Sequence, residues 1–518
     1  MVSAENIWNG APAGELTGSA LLHDITTKAR EHYINGKFYN SDKGFFPVYN
    51  PATAQQLCWC YNAHQEDIEL AISTSEEAFK TWSKTPPIER SRILLAAVKL
   101  IRKNNNTLAM IESLDTGKPY AETSTVDITT GADVLEYFAG LGMGMGEGKT
   151  IQLRETAWVY TRKEPLGICV GIGAWNYPLQ IALWKCAPAL AAGNTFIFKP
   201  SEVTPLSALC LAKIFSDAGL PPGVFNVIQG GALAGKLLVS HPRVAKVSFT
   251  GQPQTGINVY QAAAKTLKPV TLELGGKSPF IVFPDCNLTA AVDCCLTANF
   301  FSSGQVCTNG TRVFIHKKIH RSFSELLVQR VEELIRIGNP LHPDTNFGPL
   351  VSKQHMEKVL EYIRFGTLND HATLLYSGSD NVSIPPTWRN GYWVAPTIFT
   401  DCTDDMRIVR EEIFGPVACL LSFDTIEEVI SRANGTPLGL AAGVFTENIN
   451  IANRVMNEVK AGICWVNTWG ESPAQMPVGG WGLSGLGFEN GQEALQQFTK
   501  NKSVLMENGV PIPAFSKL

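Results

Sequence analysis

The chain has 518 residues, 45% apolar and 17% charged, with a formal charge of −4 and a pI near 6.2. That length exceeds one hydrophobic core, so two or three domains are expected, with room between them for an enzyme cleft. No Lys/Arg run is longer than two residues, and no segment reaches about eighteen uninterrupted apolar residues, which argues against nucleic acid or membrane as a partner.

Residues 1–30 read as a loose extension, because Gly and Pro interrupt apolar residues that show no sustained period. They contain neither a basic n-region nor a signal-length apolar run, so a cytoplasmic protein is expected. The twelve cysteines are scattered. Cys58 and Cys60 form CxC and Cys294 and Cys295 are adjacent, but no two CxxC pairs face each other, so reduced thiols and no metal site are expected. The sequons at Asn287 and Asn309 are read as chance matches in such a compartment.

Ordered structure is predicted to begin at Tyr33-Ile-Asn-Gly-Lys-Phe. Residues 67–82 and 88–104 follow as amphipathic helices, with Leu94, Leu95, Val98 and Ile101 at helical spacing. After the Gly/Met strip GLGMGMGEG come two alternating runs, Thr150-Ile-Gln-Leu-Arg and Ala157-Trp-Val-Tyr-Thr-Arg. With the tail ending in Ser503-Val-Leu-Met they read as strands of an exposed arm, whose edge invites a partner chain. Between 165 and 283 short apolar runs (ICVGIGA, TFIFKP, FNVIQG, AKVSFTG, VTLELGG, FIVF) alternate with helical stretches, the pattern of βαβ units on a parallel sheet. A second such series runs from Ala290 to about Asn467, with a capping-box-like start at Asp424-Thr-Ile-Glu427. The fold class is therefore α/β with two doubly wound domains, and ligands are expected at the carboxyl ends of their strands.

Several motifs fail. Gly230-Gly-Ala-Leu-Ala-Gly235-Lys236 has P-loop spacing but Leu237 where Ser or Thr would bind magnesium, and the segment before Gly148-Lys149-Thr150 has no glycine at 143. Gly171-Ile-Gly173-Ala-Trp-Asn176 begins like a dinucleotide fingerprint and ends at Asn. His316 and His320 lack the glutamate of HExxH. A distributed constellation is stronger: Glu273 ends a predicted strand before a glycine turn, Asn176 follows another, and Cys307 lies among small residues in GQVCTNG. Taken singly, each has an ordinary structural reading: a solvated carboxylate, an Asx turn before Pro178, and an inert thiol.

GAWNYP, FKPSE, SFTG, LELGGKSP, GQVCTNGTR, EEIFGPV and SGLGFENG, in this order, resemble the aldehyde dehydrogenase superfamily from about residue 33 onward. Cys464-Trp-Val-Asn-Thr-Trp469-Gly-Glu471-Ser-Pro is similar to the corresponding segment of the betaine aldehyde dehydrogenases. The resemblance implies the aldehyde dehydrogenase fold: an NAD-binding domain (31–147 and 166–276), a catalytic domain (277–487) and a small β oligomerisation domain (148–165 and 488–518). It implies Cys307 as nucleophile, the Asn176 amide as oxyanion donor, Glu273 as general base, and Glu489 with Lys185 on a proton path. For the cofactor it implies Trp175, Lys199, Ser201, Glu202, Gly235, Phe249, Thr250, Gly251, Gln252, Gly256, Leu274, Glu412 and Phe414. A carboxylate at 202 prefers the free 2′-hydroxyl of NAD to the phosphate of NADP.

For the substrate it implies Tyr177, Trp184, Phe301 and Trp469 as an aromatic cage for a quaternary ammonium, with Glu471 adding attraction. Without the family, each aromatic would be read as core packing. Betaine aldehyde oxidation to glycine betaine is thus expected. Trimethylaminobutyraldehyde or another aminoaldehyde is the alternative within the class, and a catalytically silent structural relative the one outside it. A dimer or tetramer is implied, and a structural monovalent cation is compatible. Gln252-Pro253 after SFTG, and Gly482 and Phe488 where the family usually carries lysine and arginine, depart from the pattern.

Overall fold

The computed structural model describes residues 31–41, 44–144, 148–378, 388–510 and 515; the N-terminal extension and residues 145–147 of the Gly/Met strip lie outside them. Two large sheets organise the chain. The first has eight strands, in the order Lys37–Tyr39, His32–Ile34, Phe225–Val227, Thr195–Lys199, Ile168–Ile172, Val244–Thr250, Val270–Glu273 and Gly485–Leu486. The middle five are mutually parallel. ICVGI and TFIFK are buried at every position, as strands covered by helices on both faces must be, so they read as continuous apolar runs rather than alternations.

One apolar cluster joins this sheet to helices Pro87–Lys103, Ile128–Leu141, Pro178–Ala191 and Leu206–Asp217. A second fills its other face with residues including Ile68, Ile72, Leu238 and Val259. The first predicted helix spans Gln65–Trp82, and its start is set by the Asp67 carboxylate accepting the His64 N–H at 2.8 Å. The next spans Pro87–Lys103 with proline in its first turn, where no N–H is needed.

The second sheet runs Thr373–Ser377, Thr397–Thr400, Val417–Phe423, Arg312–His316, Pro279–Val282, Ala441–Phe445 and Ile463–Val466, parallel except for its first strand. Apolar clusters cover both of its faces. The cap expected at Asp424 forms one residue later: Thr425 accepts from the Glu428 N–H, while Glu428 reaches back to the Asp424 N–H at 2.9 Å. A third, antiparallel sheet joins Thr499–Glu507, Ala157–Pro165 and Thr150–Arg154.

After the second sheet the chain returns to the first. Gly485–Leu486 pairs antiparallel with Val270–Glu273, setting Gly485 opposite Glu273. The preceding turn explains the glycine at 482. Its φ is +57°, and a Cβ there would collide with the Pro437 carbonyl oxygen, so a lysine would need the backbone to move.

Candidate active site

The carboxyl ends of the first sheet's parallel strands lie level: Ile172 pairs in register with Lys199 and Phe249, and Thr250 with Glu273. These strand ends, and the loops and helices that follow them, carry most of the predicted cofactor residues. Lys199 Nζ donates to the Pro200 carbonyl at 2.8 Å and to Glu202 Oε2 at 3.2 Å. Burial holds the Lys199 amine below its usual range, and Glu202 partly opposes this. The Glu202 side chain keeps 48% of its surface, so its carboxylate is free for a further partner. Ser201 accepts the Val203 N–H, and Thr204 donates to the Trp175 carbonyl. Gly235 lies over Ile172 and Lys199, the Phe249 ring lies against Gly251, and Leu274 fills the space above Gly256. Gln252 caps helix Pro253–Ala264 with proline at its first position, so the unusual Gln-Pro pair is an ordinary helix start.

Glu412 and Phe414 approach from the other sheet. Glu412 Oε1 accepts the Gly276 N–H at 3.1 Å, and burial pushes its carboxyl up to about 7. Phe414 takes φ +61° and packs edge-on to Trp175, with ring centroids 5.1 Å apart. His355 holds this conformation: its Nε2 lies 2.7 Å from the Phe414 carbonyl oxygen. Burial pushes its imidazole down to about 4, so the ring is neutral and donates through Nε2–H.

Cys307 sits where these elements converge. Three left-handed residues precede it: Ser302 (φ 52°), Ser303 (φ 53°) and Gly304 (φ 75°). Two of them are not glycine, and each such residue costs roughly 1–2 kcal/mol, so the surroundings must hold the turn. Ser303 Oγ donates to the Gly348 carbonyl at 2.7 Å, Gln305 Nε2 to the Ser302 carbonyl at 3.1 Å, and Val351 N–H to Gln305 Oε1 at 3.0 Å. A Cβ on Gly276 would lie 2.6 Å from the Cys307 carbonyl oxygen, so the thiol's loop rests directly on the glycine turn after Glu273. Burial, then the charges of Glu273 and Glu412, push the thiol up to about 12.

Asn176 is buried, one residue before the N-cap Tyr177 of helix Pro178–Ala191, and its Nδ2 donates to the Gln305 carbonyl at 2.9 Å. One amide N–H is thereby anchored two residues from Cys307, and the second remains available. Glu273 is 6% exposed and its Oε1 has no hydrogen-bond partner among the described residues. Burial, then the Glu489 charge, hold its carboxyl well above the ordinary range, while Lys185 pulls the other way. Lys185 Nζ donates to Glu489 Oε1 at 2.8 Å and to Ser248 Oγ at 2.9 Å, and Ser248 donates to the same Glu489 oxygen at 2.5 Å.

The four predicted cage aromatics are placed in different ways. Tyr177 OH lies 2.7 Å from Ser302 Oγ, while Lys118 Nζ sits 3.4 Å from the ring centroid, so one ring face already holds a cation. Phe301 opens the left-handed turn and is half-buried. Trp184, on helix Pro178–Ala191, packs against clusters of both sheets, and its indole N–H has no partner among the described residues. Trp469 is 6% exposed, packed at a tilt against Phe280 and Trp465 with ring centroids 5.2 and 4.9 Å away, and its ring lies against Gly310. Glu471 is exposed, and its carbonyl accepts the Trp465 indole N–H.

Sequence reasoning missed Lys118, Glu122, Asp127, Gln305 and His355. Charged and polar residues are read by default as solvated, and these are held inside by partners that no motif marks: Lys118 by Glu122 and Asp127, Gln305 by Asn176 and Val351, and His355 by the Phe414 carbonyl. Only Ser302-Ser303-Gly304 carries a local turn signal.

The model of the aldehyde dehydrogenase family matches residues 38–504. Among solved structures, a betaine aldehyde dehydrogenase from Staphylococcus aureus in complex with NAD+ is 34% identical, with TM-score 0.90, covering 96% of this chain and 99% of that one. An NAD+ complex of an aldehyde dehydrogenase from Bacillus cereus is 39% identical, with TM-score 0.90, covering 95% of this chain and 99% of that one.

Proposed function

The chain belongs to the aldehyde dehydrogenase family, and from that premise we propose that it oxidises betaine aldehyde to glycine betaine with NAD, through a thiohemiacetal and a thioester on Cys307. The observation that carries the chemistry is the convergence on one thiol of an anchored amide at Asn176 and a buried carboxyl of raised proton affinity at Glu273.

In this reading Cys307 loses its proton to solvent, and the thiolate attacks the aldehyde carbon, forming a C–S bond and an alkoxide. The free N–H of Asn176, at a helix N-terminus, donates to the developing oxyanion. NAD, when bound, supplies the acceptor for the hydride. The acyl group is then a thioester on Cys307, and Glu273, once deprotonated, takes a proton from the water that cleaves it. Lys185 and Glu489, hydrogen-bonded to each other and to Ser248, are the groups proposed to carry that proton onward. The residues fit NAD: the exposed carboxylate of Glu202 beside Lys199 offers an acceptor for two ribose hydroxyls and repels a phosphate, while Glu412 and the paired rings of Trp175 and Phe414 are the groups proposed to receive the nicotinamide end.

The cationic substrate is supported by the aromatic surroundings of the thiol's loop and by the likeness to the S. aureus enzyme. Trp184, Phe301 and Trp469 are the rings proposed to face the trimethylammonium, with Glu471 adding attraction; Tyr177 contributes its second face. We place the enzyme in the cytoplasm as a homo-oligomer, with the domain division given above. The strand Thr150–Arg154 supports assembly: every residue of it is exposed at a sheet edge, including Ile151 and Leu153.

The test compares kcat/KM for betaine aldehyde with that for 3,3-dimethylbutanal, its neutral isostere. Cation-π contacts of about 0.5–2 kcal/mol each predict a preference of at least tenfold for the cation. Equal efficiencies, or a stronger preference for longer aminoaldehydes, would refute the substrate assignment.

A further inference from the structure

Four side chains beside the acyl site close a ring, and of them the proposed function uses only the outer face of Tyr177. Lys118 Nζ lies 3.1 Å from Glu122 Oε1, and Glu122 accepts from both the Ser302 hydroxyl and, at 3.3 Å, the Ser302 N–H. Ser302 Oγ meets the Tyr177 hydroxyl at 2.7 Å, and the Tyr177 ring lies over Lys118 Nζ at 3.4 Å. The lysine is anchored by Asp127 at 2.6 Å and donates to the Asn176 carbonyl at 3.3 Å. Lys118, Glu122 and Asp127 are all buried, with Asp127 at 0% exposure.

Local structure is built for this arrangement. Thr123–Asp127 is a π-helical turn. In an α-helix, residues five apart point roughly 140° away from each other; the wider turn brings Glu122 and Asp127 to the same side, onto one ammonium. Such turns are uncommon and concentrate at functional sites. Gly117, left-handed at φ 81°, reverses the chain so that Lys118 points inward. Burial disfavours the ammonium, but Asp127, Tyr177 and Glu122 outweigh it, and the amine stays charged.

We propose that Lys118 is a positioning residue, which through this closed ring fixes Asn176 and Tyr177 on one side of the acyl site against the left-handed turn that presents Cys307 on the other. The ring touches the backbone of the oxyanion donor and the first residue of the turn, so loosening it lets the two sides drift apart. A displacement near 1 Å between reacting groups costs on the order of a hundredfold in rate. The proposal rests on Cys307 as nucleophile, but not on which aldehyde is used.

The test is kinetics of Lys118→Met, Lys118→Arg and Tyr177→Phe, normalised to titrated Cys307 thiol, with betaine aldehyde and 3,3-dimethylbutanal in parallel. Lys118→Met is expected to lower kcat about ten- to a hundredfold with whichever aldehydes the parent turns over, at a KM for NAD unchanged within about twofold. Lys118→Arg recovers part of that loss, and Tyr177→Phe, which deletes only the link to Ser302, loses several-fold in kcat. A merely structural contact would reduce the yield of folded enzyme but not kcat per thiol. Unchanged kcat per thiol in Lys118→Met and Tyr177→Phe would overturn the proposal, and if Lys118→Met does not fold, Tyr177→Phe decides alone. Cys307→Ala separates the two levels: activity in that variant sinks the nucleophile assignment itself, whereas an inactive Cys307→Ala beside normal ring variants sinks only the positioning role.

Discussion

Replacing Glu273 by Gln should make the protein more stable and the enzyme far slower. The carboxyl is buried, one oxygen has no partner among the described residues, and burial holds its pKa well above the ordinary range. Below the unfolded-state pKa both states are protonated, and the group contributes nothing. As pH rises past that value the unfolded state releases its proton first, and above the folded pKa the native state carries the full cost of an ionised buried group. Leaving a buried polar group unsatisfied costs about 1–3 kcal/mol. Glu273→Gln should therefore match the parent near pH 4 and exceed it by about that amount at pH 9. The difference is read as a rise of about 2–4 °C in Tm per kcal/mol for domains of this size. The same change removes the base: a burst of NADH stoichiometric with sites should remain, followed by turnover about 10²–10⁴-fold slower. A variant with undiminished steady-state turnover, or one whose stability relative to the parent does not change with pH, would refute the reasoning.

Lys185→Met leaves Glu489 buried with Ser248 as its remaining partner and should cost about 3–5 kcal/mol in unfolding free energy, most of it recovered when Glu489 is also replaced by Met. Because Lys185 pulls the Glu273 carboxyl down, its loss should move the acid limb of the kcat profile to higher pH; an unmoved limb would contradict the coupling. Gly304→Ala should destabilise by more than about 2 kcal/mol in denaturant titration, since φ +75° costs roughly 1–2 kcal/mol and the new Cβ would collide with the Gly415 carbonyl group. Glu202→Gln should raise the NADP-to-NAD ratio of kcat/KM about tenfold, equivalent to 1.4 kcal/mol, because it removes the charge that repels a 2′-phosphate.

The legible parts of the fold are those where one physical demand dominates a local stretch. ICVGI and TFIFK announced themselves because strands buried on both faces tolerate only apolar residues, and Gln65–Trp82 because one of its faces meets the core. The short strand Gly485–Leu486 was not legible, since two residues in a glycine-rich run carry no period, yet it lies directly opposite Glu273. Nothing inside GQVCTNG marks Cys307; its distinction comes from Asn176, Glu273 and Glu412, brought to it by two different sheets. Lys118 and Asp127 were invisible for a related reason: a buried charge is stable only beside its partners, and their common side depends on a π-helical turn that no residue pattern signals.

The most direct test of the central claim is peptide mass analysis of Glu273→Gln quenched with acid after reaction with betaine aldehyde and NAD. The account predicts an acyl adduct on Cys307 alone among the twelve cysteines, present only when both reagents are added and absent from Cys307→Ala. An adduct on another cysteine, or NADH formation with no adduct on Cys307 at any quench time, would contradict it.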